Sequence, residues 1–180
     1  MPVIRGFGNE QPRFGQRVFI ADTAAITGAV ELADDVSVWY GAVLRGDVGK
    51  IRIGARTNIQ DNACVHMTHE VSDALVGAEV IVGHNAVLHG AIVHDGALIG
   101  MHSVVMDNAV VGEGSWVAAG SVVPPKMVIA PRSLVRGSPA RVVRPINDDE
   151  RAWAADAIQR YLGLAREHKL QQQAAGLFVP

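Results

Sequence analysis

The fold is decided by a repeat that is clearest in residues 93–123, VHDGALIGMHSVVMDNAVVGEGSWVAAGSVV. An aliphatic residue recurs at every sixth position, and the fifth position of each hexad is small. An amphipathic helix would repeat near 3.6 residues and an alternating strand near 2, so neither explains a period of six. The repeat instead predicts a solenoid built from hexads. The aliphatic positions are Val93, Ile99, Val105, Val111 and Val117.

The same period covers most of residues 12–123. One hexad on each face and three hexads per turn would make a triangular parallel β-helix, with the aliphatic residues pointing inward. We therefore predict a β-helix domain over residues 1–145, in which the repeat ends at Val123, before two prolines. The other aliphatic series are Ile20, Ile26, Leu32, Val38 and Leu44, then Ile53, Ile59 and Val65, then Val76, Val82 and Leu88.

The period is interrupted in three places, and interruptions of a regular scaffold are where function tends to lie. An insertion falls at residues 47–50, and a longer loop covers residues 67–73. The interval from Leu88 to Val93 is one residue short. Beyond the repeat, residues 137–140 are predicted to form a turn.

A C-terminal segment, residues 146–180, is expected to carry a helix that packs on the β-helix. Asn147 and Glu150 have the spacing of a capping box, which predicts a helix over about 148–173. Its apolar face is expected to hold Trp153, Ala157, Tyr161 and Leu164.

The composition excludes several classes of partner. The formal net charge is −2, whereas nucleic-acid binding requires a basic surface. No stretch approaches the roughly 20 consecutive apolar residues that span a bilayer, so no membrane association is expected. The single cysteine, Cys64, excludes an intrachain disulfide framework, and a cytoplasmic location is the default.

Three of the seven histidines fall at related positions of the repeat. His66 and His89 both hold the second position on one face, one turn apart, so their side chains should lie side by side at the strand spacing of about 4.8 Å. His84 holds the third position on the neighbouring face, where it points elsewhere. Threefold packing of identical chains could bring His84 of one subunit to His66 and His89 of the next.

The same arithmetic stacks Arg45 below His66 and Asp61 below His84, which predicts an Arg45–Asp61 ion pair across that interface. Three neutral imidazoles leave a metal position open, which is typical of catalytic zinc. Zinc lowers the pKa of its bound water to about 7, and the hydroxide can attack CO2 or a polarised carbonyl.

The pattern Asn58-x-Gln60-Asp61-x4-His66, followed by Gly83-His84-x4-His89-Gly90, resembles the signature of gamma-class carbonic anhydrases. The resemblance implies a left-handed β-helix that forms a homotrimer with metal sites shared between subunits. It also implies that His66, His84 and His89 bind Zn²⁺, or else Fe²⁺ or Co²⁺. The activity implied is that of a lyase, the reversible hydration of CO2 to bicarbonate by a metal-bound hydroxide.

The resemblance further implies roles for other residues. Gln60 would hold the metal-bound water or substrate, Asn58 would line the CO2 pocket, and Tyr161 would be a pocket tyrosine from the C-terminal helix. Arg45 and Asp61 match an intersubunit ion pair. The long acidic loop with a proton-shuttling glutamate is missing, and its short counterpart offers His69 and Glu70 as substitutes. The other histidines, His94, His102 and His168, are expected on the solvent-exposed surface.

Other functions remain open at this stage. The same site could hydrolyse an acyl-CoA thioester, which a larger opening beside it would favour. A catalytically silent metal-binding homologue is a further alternative. A hexapeptide acyltransferase shares the β-helix but uses a lone histidine and no metal, and three converging imidazoles argue against it.

Overall fold

Short strands follow one another along nearly all of the chain, which a computed structural model describes over residues 1–177. The predicted left-handed β-helix with a C-terminal helix is confirmed, as a parallel solenoid of about seven turns. In chain order the strands are β1 (Val3–Arg5), β2 (Arg13–Phe14), β3 (Phe19–Ile20), β4 (Ala25–Leu32), β5 (Ser37–Val38), β6 (Val43–Ile53), β7 (Asn58–Ile59), β8 (Cys64–His66), β9 (Ala74–Val76), β10 (Ile81–Val82), β11 (Val87–His89), β12 (Ile92–Val93), β13 (Leu98–Ile99), β14 (Val104–Val105), β15 (Val110–Val111), β16 (Trp116–Val117), β17 (Val122–Val123), β18 (Val128–Ile129), β19 (Ser133–Gly137) and β20 (Ala140–Pro145), and the helix α1 is Asp148–Ala174.

Three faces arise because each strand pairs in parallel with the strand one turn away. Face one carries β9, β12, β15 and β18, face two carries β7, β10, β13 and β16, and face three carries β8, β11, β14 and β17. The longer strands β4 and β6 pair with each other along both face three and face one. The predicted insertion at residues 47–50 lies within β6.

The core is a stack of the aliphatic hexad positions. Ile59, Leu88 and Ile99 are completely buried, as are the small fifth residues Ala86 and Ser103 beside them. One aliphatic side chain from each face fills the interior of a turn, while the small fifth residue lets the chain fold round the corner. Burial of these apolar surfaces is the main stabilising contribution to such a fold.

The prediction that the repeat ends at Val123 is wrong. Ile129 and Val135 continue the period of six inside the core, and their strands β18 and β19 extend faces one and two. Pro124 and Pro125 lie in the turn between β17 and β18, where proline removes no hydrogen bond from a ladder. The predicted turn at 137–140 is confirmed, since it reverses the chain into β20, which pairs antiparallel with β19.

Helix α1 begins at the predicted capping box. The Asn147 side chain accepts a hydrogen bond from the Glu150 amide at 2.8 Å, and Glu150 accepts one from the Asn147 amide at 2.9 Å. The helix lies on face two, with Ala157 and Ile158 against Ile81 of that face.

Two of the residues predicted for the buried face of the helix are exposed instead. Trp153 is 52% exposed and Leu164 is 43% exposed, whereas Ala154, Ala157 and Ala165 are buried. Small side chains are at the contact because they let the helix backbone approach the sheet closely. Trp153 lies to the side, with its ring centroid 5.7 Å from that of Trp116.

His168, predicted on the solvent-exposed surface, is only partly exposed. Its Nδ1 is hydrogen-bonded to the Tyr40 hydroxyl at 2.9 Å, and its ring lies 5.2 Å from that of Trp39. His168 therefore fastens the last part of the helix to the solenoid.

No helix within residues 1–177 is long and apolar enough to cross a membrane. The cytoplasmic location and the division between residues 145 and 146 stay predictions. Residues 178–180 of the predicted C-terminal segment lie outside the described part of the chain.

We expect Glu150→Gln to lower the thermal midpoint at neutral pH but to matter less in acid. Hydrogen bonds from the Arg144 guanidinium and the Asn147 amide lower the pKa of Glu150 from 4.5 to about 2. The stabilisation from the charged carboxylate is complete above pH 4.5 and is lost as the pH falls towards 2. Melting curves of both proteins across this range measure the difference.

Asp149→Asn is the matched control, because it removes a charge from the same helical turn and leaves the capping box intact. The stabilising role of the Glu150 carboxylate would be contradicted by either of two results. The first is a difference in thermal midpoint between wild type and Glu150→Gln that stays constant with pH, and the second is an equal loss in Asp149→Asn.

Candidate metal centre

The parallel ladder of face three places His66 and His89 side by side, as the spacing predicts. Strands β8 and β11 pair Val65 with Leu88 and His66 with His89. The aliphatic residues point into the core, so the following histidines point out of the solenoid together. Their ring centroids are 5.5 Å apart.

The third predicted ligand, His84, follows strand β10 on face two. Its Nδ1 lies 2.8 Å from Oδ2 of Asp61, which the ladder between β7 and β10 places one turn below. Within residues 1–177 of a single chain, no three His, Cys, Asp or Glu side chains converge in a way that could hold a metal. That a neighbouring subunit supplies the third ligand therefore stays a prediction.

His89 has a partner that the sequence analysis missed. Its Nδ1 is 3.1 Å from Oδ2 of Asp107. The Asp107 carboxylate also accepts hydrogen bonds from the hydroxyls of Ser72 and Thr68. Burial would raise the pKa of Asp107, but the hydrogen bonds from Ser72, His89 and Thr68 hold it below its usual value. The hexad arithmetic could have found this residue, because Asp107 lies one turn above Gly90.

His66 occupies a more enclosed position. Its Nδ1 is buried without a hydrogen-bond partner among the described residues, and its Nε2 is 3.8 Å from Oδ1 of Asp47. Burial lowers the pKa of His66, and the charges of Arg45 and His89 lower it further. The imidazole is therefore neutral at neutral pH, which is the form that binds a metal.

The predicted partners Arg45 and Asp61 have other contacts within the chain. Arg45 Nη1 is 2.6 Å from Oδ2 of Asp47, and Asp61 contacts His84. Burial disfavours the charged form of Asp47, yet the hydrogen bond from Arg45 keeps the pKa of that carboxyl below its usual value. The Arg45–Asp61 pair between subunits stays a prediction.

Gln60 and Asn58 form a buried pair of amides on face two. Gln60 Nε2 donates to Oδ1 of Asn58 at 3.0 Å. Asn58 Nδ2 is buried and has no partner among the described residues. Gln60 is the member of the pair that lines the groove beside it, while Asn58 lies behind it inside face two.

Tyr161 lies near the same site. Its ring packs edge-on against Trp39 at 5.5 Å, and burial together with the charge of Asp61 raises the pKa of its hydroxyl. Tyr161, Gln60 and His84 line one cavity, and their roles stay predictions.

That cavity is an apolar groove of about 960 Å³ between helix α1 and face two. Leucine, tryptophan and tyrosine side chains line it together with smaller apolar residues. Its polar lining residues are Gln60, His84, Asn147, Asp149, Glu150 and Arg160. Pockets of this size and character typically accept small organic molecules. Its leucine, tryptophan and tyrosine side chains are Leu98, Trp116, Leu134, Trp153, Tyr161 and Leu164.

The two predicted proton carriers lie on the loop at residues 67–73. His69 is 68% exposed and Glu70 is 84% exposed, and His69 Nε2 lies 3.7 Å from Glu70 Oε1. His69 Nδ1 is also 3.3 Å from the Val48 carbonyl oxygen. Their exposure suits exchange of protons with solvent, but their role stays a prediction. His94 and His102 are exposed, as predicted.

Comparison with known proteins gives close relatives. No protein-family model matches the chain. A Geobacillus kaustophilus carbonic anhydrase is 39% identical over 95% of this chain and 93% of its own length. The mitochondrial gamma carbonic anhydrase 2 of Arabidopsis thaliana is 38% identical over 89% of this chain, which spans only 59% of that relative. A solved hexapeptide transferase family protein from Anaplasma phagocytophilum superposes with a TM-score of 0.88 and 38% identity, covering 92% of this chain and 97% of that one.

The solenoid and its paired imidazoles define a hexapeptide-repeat β-helix protein with a histidine-based candidate metal centre. The sequence identity to the Geobacillus carbonic anhydrase over nearly the full length of both chains places this protein more narrowly within that class. The chain belongs to the gamma-class carbonic anhydrase family.

Proposed function

We propose that this protein is a metal-dependent carbonic anhydrase that works as a homotrimer. The observation that carries the proposal is the register of β8 and β11, which places His66 and His89 side by side on the outer surface of face three. Carbonic anhydrase relatives of similar length support the reaction, the reversible hydration of CO2 to bicarbonate and a proton.

The residues present suit a metal with nitrogen ligands. His66 and His89 would bind it from one chain and His84 from the neighbour. Asp107 contacts Nδ1 of His89, and Asp61 contacts Nδ1 of His84. Nε2 of each ring is therefore left for a metal. Zn²⁺, Fe²⁺ and Co²⁺ all accept imidazole. When bound, the metal lowers the pKa of a water molecule so that it can attack CO2.

Residues of face two would bind and orient the substrate. Gln60, whose side chain lines the groove, can hydrogen-bond a CO2 or bicarbonate oxygen, and the buried Asn58 amide holds Gln60 in place. The apolar part of the groove suits uncharged CO2. The proton released would leave through the exposed loop, where His69 and Glu70 can carry it.

We expect His66→Ala, His84→Ala and His89→Ala each to abolish most metal binding, because every site needs all three rings. His94→Ala is the matched control, since His94 is exposed and has no place in the site. Metal content by mass spectrometry, after loading with Zn²⁺ or Fe²⁺, measures the effect. Full occupancy in the His84→Ala protein would refute a ligand contributed from face two.

We expect a particle of three times the 19.1 kDa chain mass in sedimentation equilibrium. Mixing His84→Ala with His66→Ala subunits should restore some sites, since a mixed trimer contains interfaces with no substituted residue. A monomer that binds stoichiometric metal would contradict the shared site.

Stopped-flow CO2 hydration tests the reaction itself. Protein purified without oxygen and loaded with Zn²⁺ or Fe²⁺ should accelerate hydration, and His89→Ala should not. Metal binding without turnover in either form would identify a metal-binding homologue that lacks this activity.

A second candidate function is hydrolysis of an acyl thioester, and the apolar groove of about 960 Å³ beside His84 favours it. The groove is far larger than CO2 and could hold an acyl chain. A thiol-release assay with acyl-CoA substrates of increasing chain length separates the two candidates. Metal-dependent release that increases with chain length, without CO2 hydration, would replace the first proposal.

A further inference from the structure

The Asp107 carboxylate sits at the junction of face three and the loop of residues 67–73. We propose that Asp107 is a positioning residue, which fixes the tautomer and ring orientation of His89 and is itself clamped by Thr68 and Ser72 of this loop. The inference rests on the proposed function, because the orientation of His89 matters only if this ring binds a metal.

The hydrogen bonds to Asp107 use both carboxylate oxygens. Oδ1 accepts from Ser72 Oγ at 2.6 Å, and Oδ2 accepts from Thr68 Oγ1 at 3.2 Å and from His89 Nδ1 at 3.1 Å. A carboxylate only accepts hydrogen bonds, so His89 must carry its proton on Nδ1. Its Nε2 then has a free lone pair.

Gly90 makes the room for this arrangement. A Cβ at this residue would collide with Ser72 Oγ and Asp107 Oδ1. Gly90 also has φ of +60°, a backbone conformation that other residues rarely adopt. The one-residue shortening of the hexad between Leu88 and Val93 falls here, and it places a residue without a side chain under the loop.

The loop is anchored well enough to hold the carboxylate. Asn108 Nδ2 donates to the Val71 carbonyl oxygen at 3.3 Å, and Asp73 Oδ1 accepts from the Lys50 amide at 2.7 Å. Met67 at its start is buried in the core. Ser72 and Thr68 therefore come from a fixed backbone, and they orient Asp107 before any metal arrives.

The test uses the whole protein, with ¹⁵N-labelled histidine and without metal, at mildly alkaline pH where imidazoles are neutral. Long-range ¹H–¹⁵N correlation spectra report which ring nitrogen carries the proton, and the His89 signals are those missing from His89→Gln. We expect an Nδ1–H tautomer in wild type and a shift towards Nε2–H in Asp107→Ala. Zinc affinity, from competition with a chelator, should fall about 10- to 100-fold in the variant.

Asp95→Ala is the matched control, because Asp95 holds the same hexad position but accepts a hydrogen bond from the Ala78 amide, with no histidine contact among those described. It should keep the wild-type tautomer and zinc affinity.

A folded Asp107→Ala protein with unchanged His89 tautomer and zinc affinity would overturn the inference. If Asp107→Ala does not fold, Ser72→Ala decides, since it removes only the 2.6 Å hydrogen bond. A smaller loss of zinc affinity supports the clamp, and no loss in Ser72→Ala overturns it.

The tautomer also separates this inference from the proposed function. Wild-type protein that binds no zinc, while Asp107→Ala still changes the tautomer, would refute the metal site and leave the positioning role intact.

Discussion

The register of the parallel ladders is the constraint on which the rest of the structure depends. Val65 pairs with Leu88 and Ile59 with Val82 because all four are buried in the core. A slip of one residue would turn each aliphatic side chain outward and the next residue inward, at a large cost in buried apolar surface. Core packing, and not any attraction between imidazoles, therefore sets the distance between His66 and His89.

Two of the histidines each have a carboxylate beside Nδ1. Asp107 contacts His89 and Asp61 contacts His84, in both cases from an adjacent turn and through Nδ1. A repeated ladder makes this simple, because residues one turn apart lie at the strand spacing. Asp47 differs, since its main partner is Arg45 and it stands farther from His66. The two histidines on face three thus have unlike surroundings, although they occupy the same hexad position.

The candidate site is divided between two faces of the prism, and this division shapes its chemistry. Face three supplies two imidazoles, while face two supplies the third imidazole, the amides of Asn58 and Gln60, and a groove covered by the helix. No single prism can bring two of its own outward faces together. The proposed activity therefore requires an assembly of subunits, and residues of the helix on face two line the groove beside His84.

The features that could be predicted from the sequence are those in segments where the period of six is intact. The β-helix, the neighbouring rings of His66 and His89, and the Asn147–Glu150 capping box were all predictable, because each follows from spacing along the chain. Ile129 and Val135 also keep the period, and two prolines in a turn obscured it. By contrast, the clamp of Thr68 and Ser72 on Asp107 depends on the path of a loop where the period is lost. The contacts of His168 with Tyr40 and Trp39 and the exposure of Trp153 and Leu164 depend on how the helix docks.

The amino-acid sequence by itself therefore determined the solenoid and which residues share a face, since a strict period allows one register that buries every aliphatic residue. Tertiary structure alone decided how the loop and the helix meet that solenoid. Those contacts join segments far apart in the chain, and they are settled by the shapes of two surfaces, which no local spacing encodes.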